Sequence, residues 1–136
     1  MTTLAGYSDA RPPLRTKDAL RPLGRPAAIA LWCVQAAVAA LFLVAGTSKL
    51  AGAAAMVQTF DAIGLGQWFR YLTGGIEVVS AVLLLAPRLA FFGAIVLIPT
   101  MIGAIITHVF VVGGNPFPAA VLLLAAVGIA WARRPR

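Results

Sequence analysis

The chain has 136 residues, of which 61% are hydrophobic and 11% charged, with a formal net charge of +7 and a mean hydropathy of +0.94. Soluble domains average about 45–50% apolar and about 25% charged residues, so one small aqueous core does not account for this composition. The basic residues gather before the first apolar run and after the last, without aromatic interleaving, which argues against a nucleic-acid partner. The composition therefore indicates a single integral membrane domain.

Residues 1–26 are polar and basic, and we expect them to form a cytoplasmic tail, because positive charge beside a span favours the cytoplasmic side. The next run, 27–50, is long enough for one crossing, since about 20 helical residues cover the hydrocarbon core. Cys33 lies in this run and is predicted to be a buried small hydrophobe. The basic residues of the tail and its edge are Arg11, Arg15, Lys17, Arg21 and Arg25.

Residues 51–70 mix alanines, polar residues and aromatic residues, and glycines interrupt them. They predict a short interfacial helix and a turn on the outer side. Trp68, Phe69 and Tyr71 are expected at headgroup level, where amphipathic aromatic rings are enriched.

Three further spans are predicted, the second over 71–86, the third over 89–111 with a kink at Pro99, and the fourth up to about Ala132. The sequence thus predicts an all-α bundle of four transmembrane helices with a short interfacial helix between the first two. Residues 27–132 form the membrane domain and 133–136 a basic cytoplasmic end. The positive-inside rule places both termini in the cytoplasm of a plasma or inner membrane. Close helix contacts are expected at Gly74, Gly75, Gly93 and Gly103.

Glu77 is the strongest candidate for a functional residue, because a carboxylate within a span is costly and needs a named partner. Antiparallel helices bring the end of the first span, the start of the second and the end of the third to the outer side. Lys49 and His108 are therefore the candidate partners, and Thr107 lies at their level. A Glu–His pair could relay protons.

The alternative interpretations of these residues are structural. Glu77 could serve no purpose beyond fixing helix packing, and Lys49 could simply extend its ammonium group to the interface. His108 could be an interfacial side chain whose hydrogen bonds are satisfied. Three further polar residues are predicted to be ordinary surface groups: Asp61, Arg70 and Asn115. No cluster of His, Cys and carboxylates has metal-site spacing, so no metal site is predicted.

FLVAGTSKL at 42–50 contains a Gly-x-x-Lys-Leu pattern, and YLTGGIEVV at 71–79 is centred on Glu77. These segments resemble motifs of the DoxX-like family of small membrane proteins. Phe60 precedes the family's loop, in which Gly66 stands where a proline is common. The resemblance continues through LLLAPRL at 83–89 and IGAIITH at 102–108, and spans about 27–132.

This resemblance implies a four-helix membrane fold and an association with membrane redox systems. The leading hypothesis is an accessory protein or subunit of a quinone-linked system, with a quinone-sized pocket near Glu77 and His108 and with a redox enzyme as partner, rather than a self-contained enzyme. The alternatives are a small proton-coupled carrier, which could be a homo-oligomer, and a structural partner without its own activity. These hypotheses share one requirement, a lipid bilayer around the chain.

Overall fold

A computed structural model describes residues 24–135, and within this range the chain folds into helices joined by short turns, without strands. Most of the basic tail and Arg136 lie outside the described residues, so the predictions made for them are not addressed below. The helices, in chain order, are α1 (Arg25–Ala51), α2 (Ala54–Ile63), α3 (Gln67–Leu85), α4 (Ala90–Phe110) and α5 (Phe117–Arg133).

The ends of the first two helices follow from glycines. α1 has a proline in its first turn, where the missing N–H breaks no helical hydrogen bond, and ends at Gly52 with φ of 72°. α2 ends in the same way at Gly64, with φ of 79°. Both are left-handed conformations that favour glycine, and in both the cap N–H donates to carbonyls of the preceding turn. These stops set α2 apart as a separate short helix, as predicted.

Three helices, α1, α3 and α4, are long and apolar enough to cross a membrane. α5 is also apolar and has 17 residues, at the lower limit for a span. Many large apolar side chains on these helices are exposed, among them Val44, Leu124 and Phe110 at 66%, 72% and 80%. An outer surface of this kind suits lipid. The described residues thus form a helical membrane bundle, while the crossing by α5 remains a prediction.

The helices pack in the order α1, α3, α4, α5, with α2 lying mainly against α3. A Cβ placed on Gly46 would lie 2.8 Å from the carbonyl oxygen of Gly74, so the α1 and α3 backbones nearly touch. A Cβ on Gly93 would lie 2.8 Å from the carbonyl oxygen of Ser80, which brings α4 equally close to α3. Small residues at such crossings let membrane helices gain close van der Waals contact.

Some predicted details differ from the structure. α3 begins at Gln67 rather than near Tyr71, so Trp68 and Phe69 belong to a helix and not to a turn. Cys33 is exposed on the surface of α1 and not buried. The close contacts expected at Gly74 and Gly93 are present, whereas a Cβ added at 75 or 103 would meet no atom within 4 Å. Periodicity alone did not say which face of each helix meets a neighbour.

Candidate functional site

Lys49 and Glu77 form an ion pair between the last turn of α1 and the middle of α3. The Lys49 Nζ donates to Glu77 Oε1 at 3.0 Å and to Oε2 at 2.8 Å. The Glu77 side chain is 3% exposed and that of Lys49 is 15% exposed. The short distance depends on the neighbouring glycines, since Gly46 and Gly74 bring the two backbones together one turn before each charged residue. The carboxylate is therefore buried with both oxygens bonded, as a charge in a membrane requires.

This pair forms part of the wall of a cavity of about 720 Å³ that is lined by residues of all five helices and is partly open to the outside. Such a volume lies in the range of small-molecule sites, about 300–1,000 Å³. Most of the wall is apolar and includes Phe42 of α1, Phe60 of α2, Phe69 of α3 and Leu122 of α5. Its polar side chains come mainly from α1, α3 and α4: Lys49, Thr73, Glu77, Thr100, Thr107 and His108, with Thr59 from α2.

His108 lies in the last turn of α4, and its imidazole Nδ1 is buried without a hydrogen-bond partner. The neighbouring turn explains the burial, since a Cβ on Gly114 would lie 2.7 Å from Nδ1. The Gly114 N–H donates to the His108 carbonyl oxygen at 3.0 Å, which fixes this turn on the helix end. Glycine at 114 therefore makes room for the ring, and the ring closes against the turn.

All four residues of the predicted polar cluster, Lys49, Glu77, Thr107 and His108, line this one cavity. Within the described residues the hydrogen-bond partner of the Glu77 carboxylate is Lys49, so of the two candidate partners the structure pairs Glu77 with the lysine. A role for these residues in binding or proton transfer remains a prediction. Asn115 lies outside the cavity wall, where its Oδ1 accepts the N–H of Phe117, the first residue of α5, at 2.9 Å.

Arg70 was expected to be an ordinary surface group, and this prediction is wrong. Its residue is 4% exposed, and its guanidinium donates to the carbonyl oxygen of Lys49 at the end of α1. Its Nε donates to Gln67 Oε1 at 2.5 Å, and Gln67 Nε2 in turn donates to Asp61 Oδ1 at 2.6 Å. The sequence contained a signal of this role. Arg70 lies in the first turn of α3, where the helix dipole disfavours a positive charge, whereas the same charge is favourable at the carboxyl end of another helix.

A second polar network was not predicted at all. Gln35 is fully buried in α1 and donates through Nε2 to the carbonyl oxygen of Leu84, which is near the end of α3 and lacks a helical donor. Gln35 Oε1 accepts the Arg133 Nε–H at 3.0 Å. The signal here was the single amide in an otherwise apolar run, because a buried amide without partners is costly.

In the part of the chain that the structure describes, no three His, Cys, Asp or Glu side chains lie close enough together to bind a metal ion. The site is instead a largely apolar cavity in a helix bundle, bordered by one buried ion pair and one histidine. These features define the class of the protein, a small helical membrane protein with a largely apolar cavity between its helices. The sequence model of the DoxX-like family matches residues 33–130, and the chain belongs to this family. Comparison with curated proteins and with solved structures finds no match.

Proposed function

We propose that this protein is an accessory protein or subunit of a quinone-linked membrane redox system, and that its cavity binds the quinone. The observation that carries the proposal is the cavity of about 720 Å³, with apolar walls and with polar groups gathered at Lys49, Glu77, Thr107 and His108. Binding pockets for lipophilic molecules combine a large apolar surface with a few convergent polar groups.

The chemistry of the polar groups fits a quinone. Its two carbonyl oxygens are hydrogen-bond acceptors, and Lys49, Thr107 and His108 carry donors. Gly114 closes off Nδ1 of His108, so hydrogen bonding to a ligand falls to Nε2. A buried N–H group without a partner is rarer than a buried acceptor without one. This difference favours the tautomer of His108 in which Nδ1 is unprotonated and Nε2 carries the hydrogen. A bound quinone would supply reversible two-electron, two-proton chemistry, and the chain would hold and orient it.

Glu77 has a supporting role in this proposal. Its carboxylate holds the Lys49 ammonium at the cavity wall through both oxygens. Without this negative charge the lysine would be an isolated cation beside an apolar cavity, and its long side chain would turn towards the interface. The ion pair thus keeps one hydrogen-bond donor in a fixed place.

The topology is also part of the proposal. With α5 as a fourth crossing, the chain ends and Arg88 lie on one side, and Lys49, Asp61 and Arg70 on the other. The excess of basic residues at the first side favours the cytoplasm of a plasma or inner membrane. Fusion of a reporter that is active only in the cytoplasm to either end should give signal. A reporter that is inactive at the carboxyl end alone would instead indicate three crossings.

The proposal is tested by mass spectrometry of the gently purified protein, covering associated proteins and lipophilic small molecules, followed by titration with a short-chain quinone. We expect co-purification of a quinone or a redox enzyme. His108→Ala and Glu77→Gln should weaken quinone binding about tenfold or more, the effect of losing a hydrogen bond involving a charged or buried group. Asp61→Asn is the matched control, because this carboxylate is exposed and lies outside the cavity wall. Equal quinone affinity in all four proteins would reject the cavity as the site.

A structural role is the competing interpretation, and the closed geometry of the ion pair favours it, since both oxygens of Glu77 are already bonded to Lys49. In that case Glu77→Gln lowers the unfolding temperature, while the folded variant keeps every partner and the full quinone affinity at low temperature. Loss of quinone affinity in variants that remain folded would support the binding function.

A further inference from the structure

Arg133, the last residue of α5, is held in place by α1. Its Nε donates to the buried Gln35 Oε1 at 3.0 Å, and its guanidinium lies over the Trp32 ring, 5.1 Å from the ring centre. A cation over an indole face is attracted by the ring quadrupole. One edge of the guanidinium is thus anchored, and an arginine guanidinium carries five N–H donors in a planar fork. Its terminal nitrogens remain to bind an anion.

A second arginine, Arg134, follows Arg133 in the sequence. The Arg134 guanidinium lies 5.1 Å from the centre of the Trp131 ring, and Trp131 is 68% exposed. Tryptophan is enriched where a membrane helix meets the headgroup region. With α5 as a fourth crossing, as proposed above, arginines 133 and 134 mark the level at which this helix leaves the hydrocarbon core.

This end of the bundle lacks negative charge within the described residues. The carboxylates in 24–135 belong to Asp61 and Glu77, and both lie towards the opposite end, where Glu77 is bonded to Lys49. Arg88 in the turn after α3 adds positive charge at the same end as Arg133, because Gln35 binds both Arg133 and the end of α3. The two arginines of α5 therefore have no carboxylate partner among the described residues.

We propose that Arg133 and Arg134 form a binding site for the phosphate of an anionic phospholipid, whose acyl chains lie along the exposed face of α5. Leu124, Val127 and Trp131 are 72%, 46% and 68% exposed and follow one another at helical spacing on that face. An exposed apolar stripe that ends beside two consecutive arginines offers one surface to the acyl chains of a lipid and another to its headgroup. Basic sites beside membrane helices bind anionic headgroups in this way. The inference does not depend on the proposed quinone function.

The test measures lipid retention by native mass spectrometry of the full chain in detergent, with added phosphatidylglycerol or phosphatidylcholine. We expect the protein to retain phosphatidylglycerol more strongly. Each of Arg133→Gln and Arg134→Gln should weaken this retention about fivefold, the effect of losing one specific hydrogen bond to the phosphate. Arg88→Gln is the matched control, because it removes one charge from the same end but lies outside the pair, and it should retain the lipid as the unaltered protein does.

Arg134→Gln keeps the test decisive if Arg133→Gln fails to fold, because the described contact of Arg134 is only with the exposed Trp131 ring. Equal retention of the two lipids by the unaltered protein would overturn the proposal. It would also be overturned if Arg88→Gln weakened retention as much as Arg134→Gln, since that result indicates a diffuse charge effect. Displacement of the lipid by inorganic phosphate at equal concentration would show a free-phosphate site instead.

Discussion

Lys49 on α1 holds Glu77 on α3 through both carboxylate oxygens, at 3.0 and 2.8 Å. This pair joins two helices that are also in backbone contact at Gly46 and Gly74. The pair also borders the cavity between the helices. One contact thus serves helix packing and shapes the candidate binding site, and the two roles can be separated by experiment.

Removing one member of the pair should destabilise the protein more than removing both. Glu77→Met leaves the Lys49 ammonium without its partner, so that it either stays uncompensated or leaves the cavity wall for the interface, and breaking a buried pair costs up to about 3–5 kcal/mol. The double variant Lys49→Met with Glu77→Met leaves no charge behind and should recover much of that loss. The measurement is the free energy of unfolding in detergent. A double variant that loses as much free energy of unfolding as Glu77→Met and Lys49→Met lose in sum would contradict this account.

Adding one methyl group at the α1–α3 crossing should separate the helices. In Gly46→Ala the new Cβ would meet the Gly74 carbonyl oxygen at 2.8 Å, and overpacking of this kind costs about 1–3 kcal/mol. Gly75→Ala is the matched control, because its Cβ would meet nothing within 4 Å and alanine favours the helix. Thermal unfolding should show a loss for Gly46→Ala and no loss for Gly75→Ala. Equal effects at both positions would exclude the close crossing.

Arg70→Ala should loosen the end of α1. The variant removes the Arg70 donor to the Lys49 carbonyl oxygen and leaves this oxygen with the Gly52 N–H at 3.3 Å, and losing one such hydrogen bond costs about 0.5–1.5 kcal/mol. Amide hydrogen exchange should become faster in the last turn of α1 and at the start of α2. The exposed Arg88 offers a comparison, since Arg88→Ala should change exchange at neither place. Unchanged exchange in Arg70→Ala would mean that this contact adds no local stability.

Gly114→Ala should move the His108 ring without removing it. The added Cβ would lie 2.7 Å from Nδ1, so either the ring or the turn must shift. We expect the imidazole NMR signals of His108 to change, and quinone affinity to fall if the proposed site is right. Gly128→Ala, where a Cβ meets nothing within 4 Å, should change neither. If the His108 signals are unchanged in Gly114→Ala, the turn at Gly114 does not lie against the imidazole ring.

Gln35→Leu should weaken the contact of α1 with α3 and α5. The substitution leaves the Leu84 carbonyl oxygen and the Arg133 Nε without their described partner, at a cost of about 1–3 kcal/mol in unfolding free energy. Ala36→Leu, at an exposed position of the same helix, is the control and should be close to neutral. A Gln35→Leu protein as stable as the control would show that lipid or water replaces the amide without loss.

The sequence alone was sufficient to predict the helices and their order. Long apolar runs have few alternatives in a membrane, because only helices and closed barrels satisfy every backbone group there. The glycines within residues 51–70 interrupted the helical pattern and separated α2 from α3, and the family resemblance implied the same fold. Glu77 could be singled out because a carboxylate within an apolar run is costly.

The tertiary structure decided which polar groups meet. Lys49 and His108 were both open as partners of Glu77, and the backbone contact of Gly46 with Gly74 places Lys49 against it. Arg70 acts on a helix other than its own, and Gln35 meets Arg133 from the far end of the chain. Periodicity gives the position of a residue around its own helix, but contacts of this kind depend on how close neighbouring helices approach and how they are turned towards each other. That arrangement is set by side-chain packing across the whole bundle, which no single segment contains.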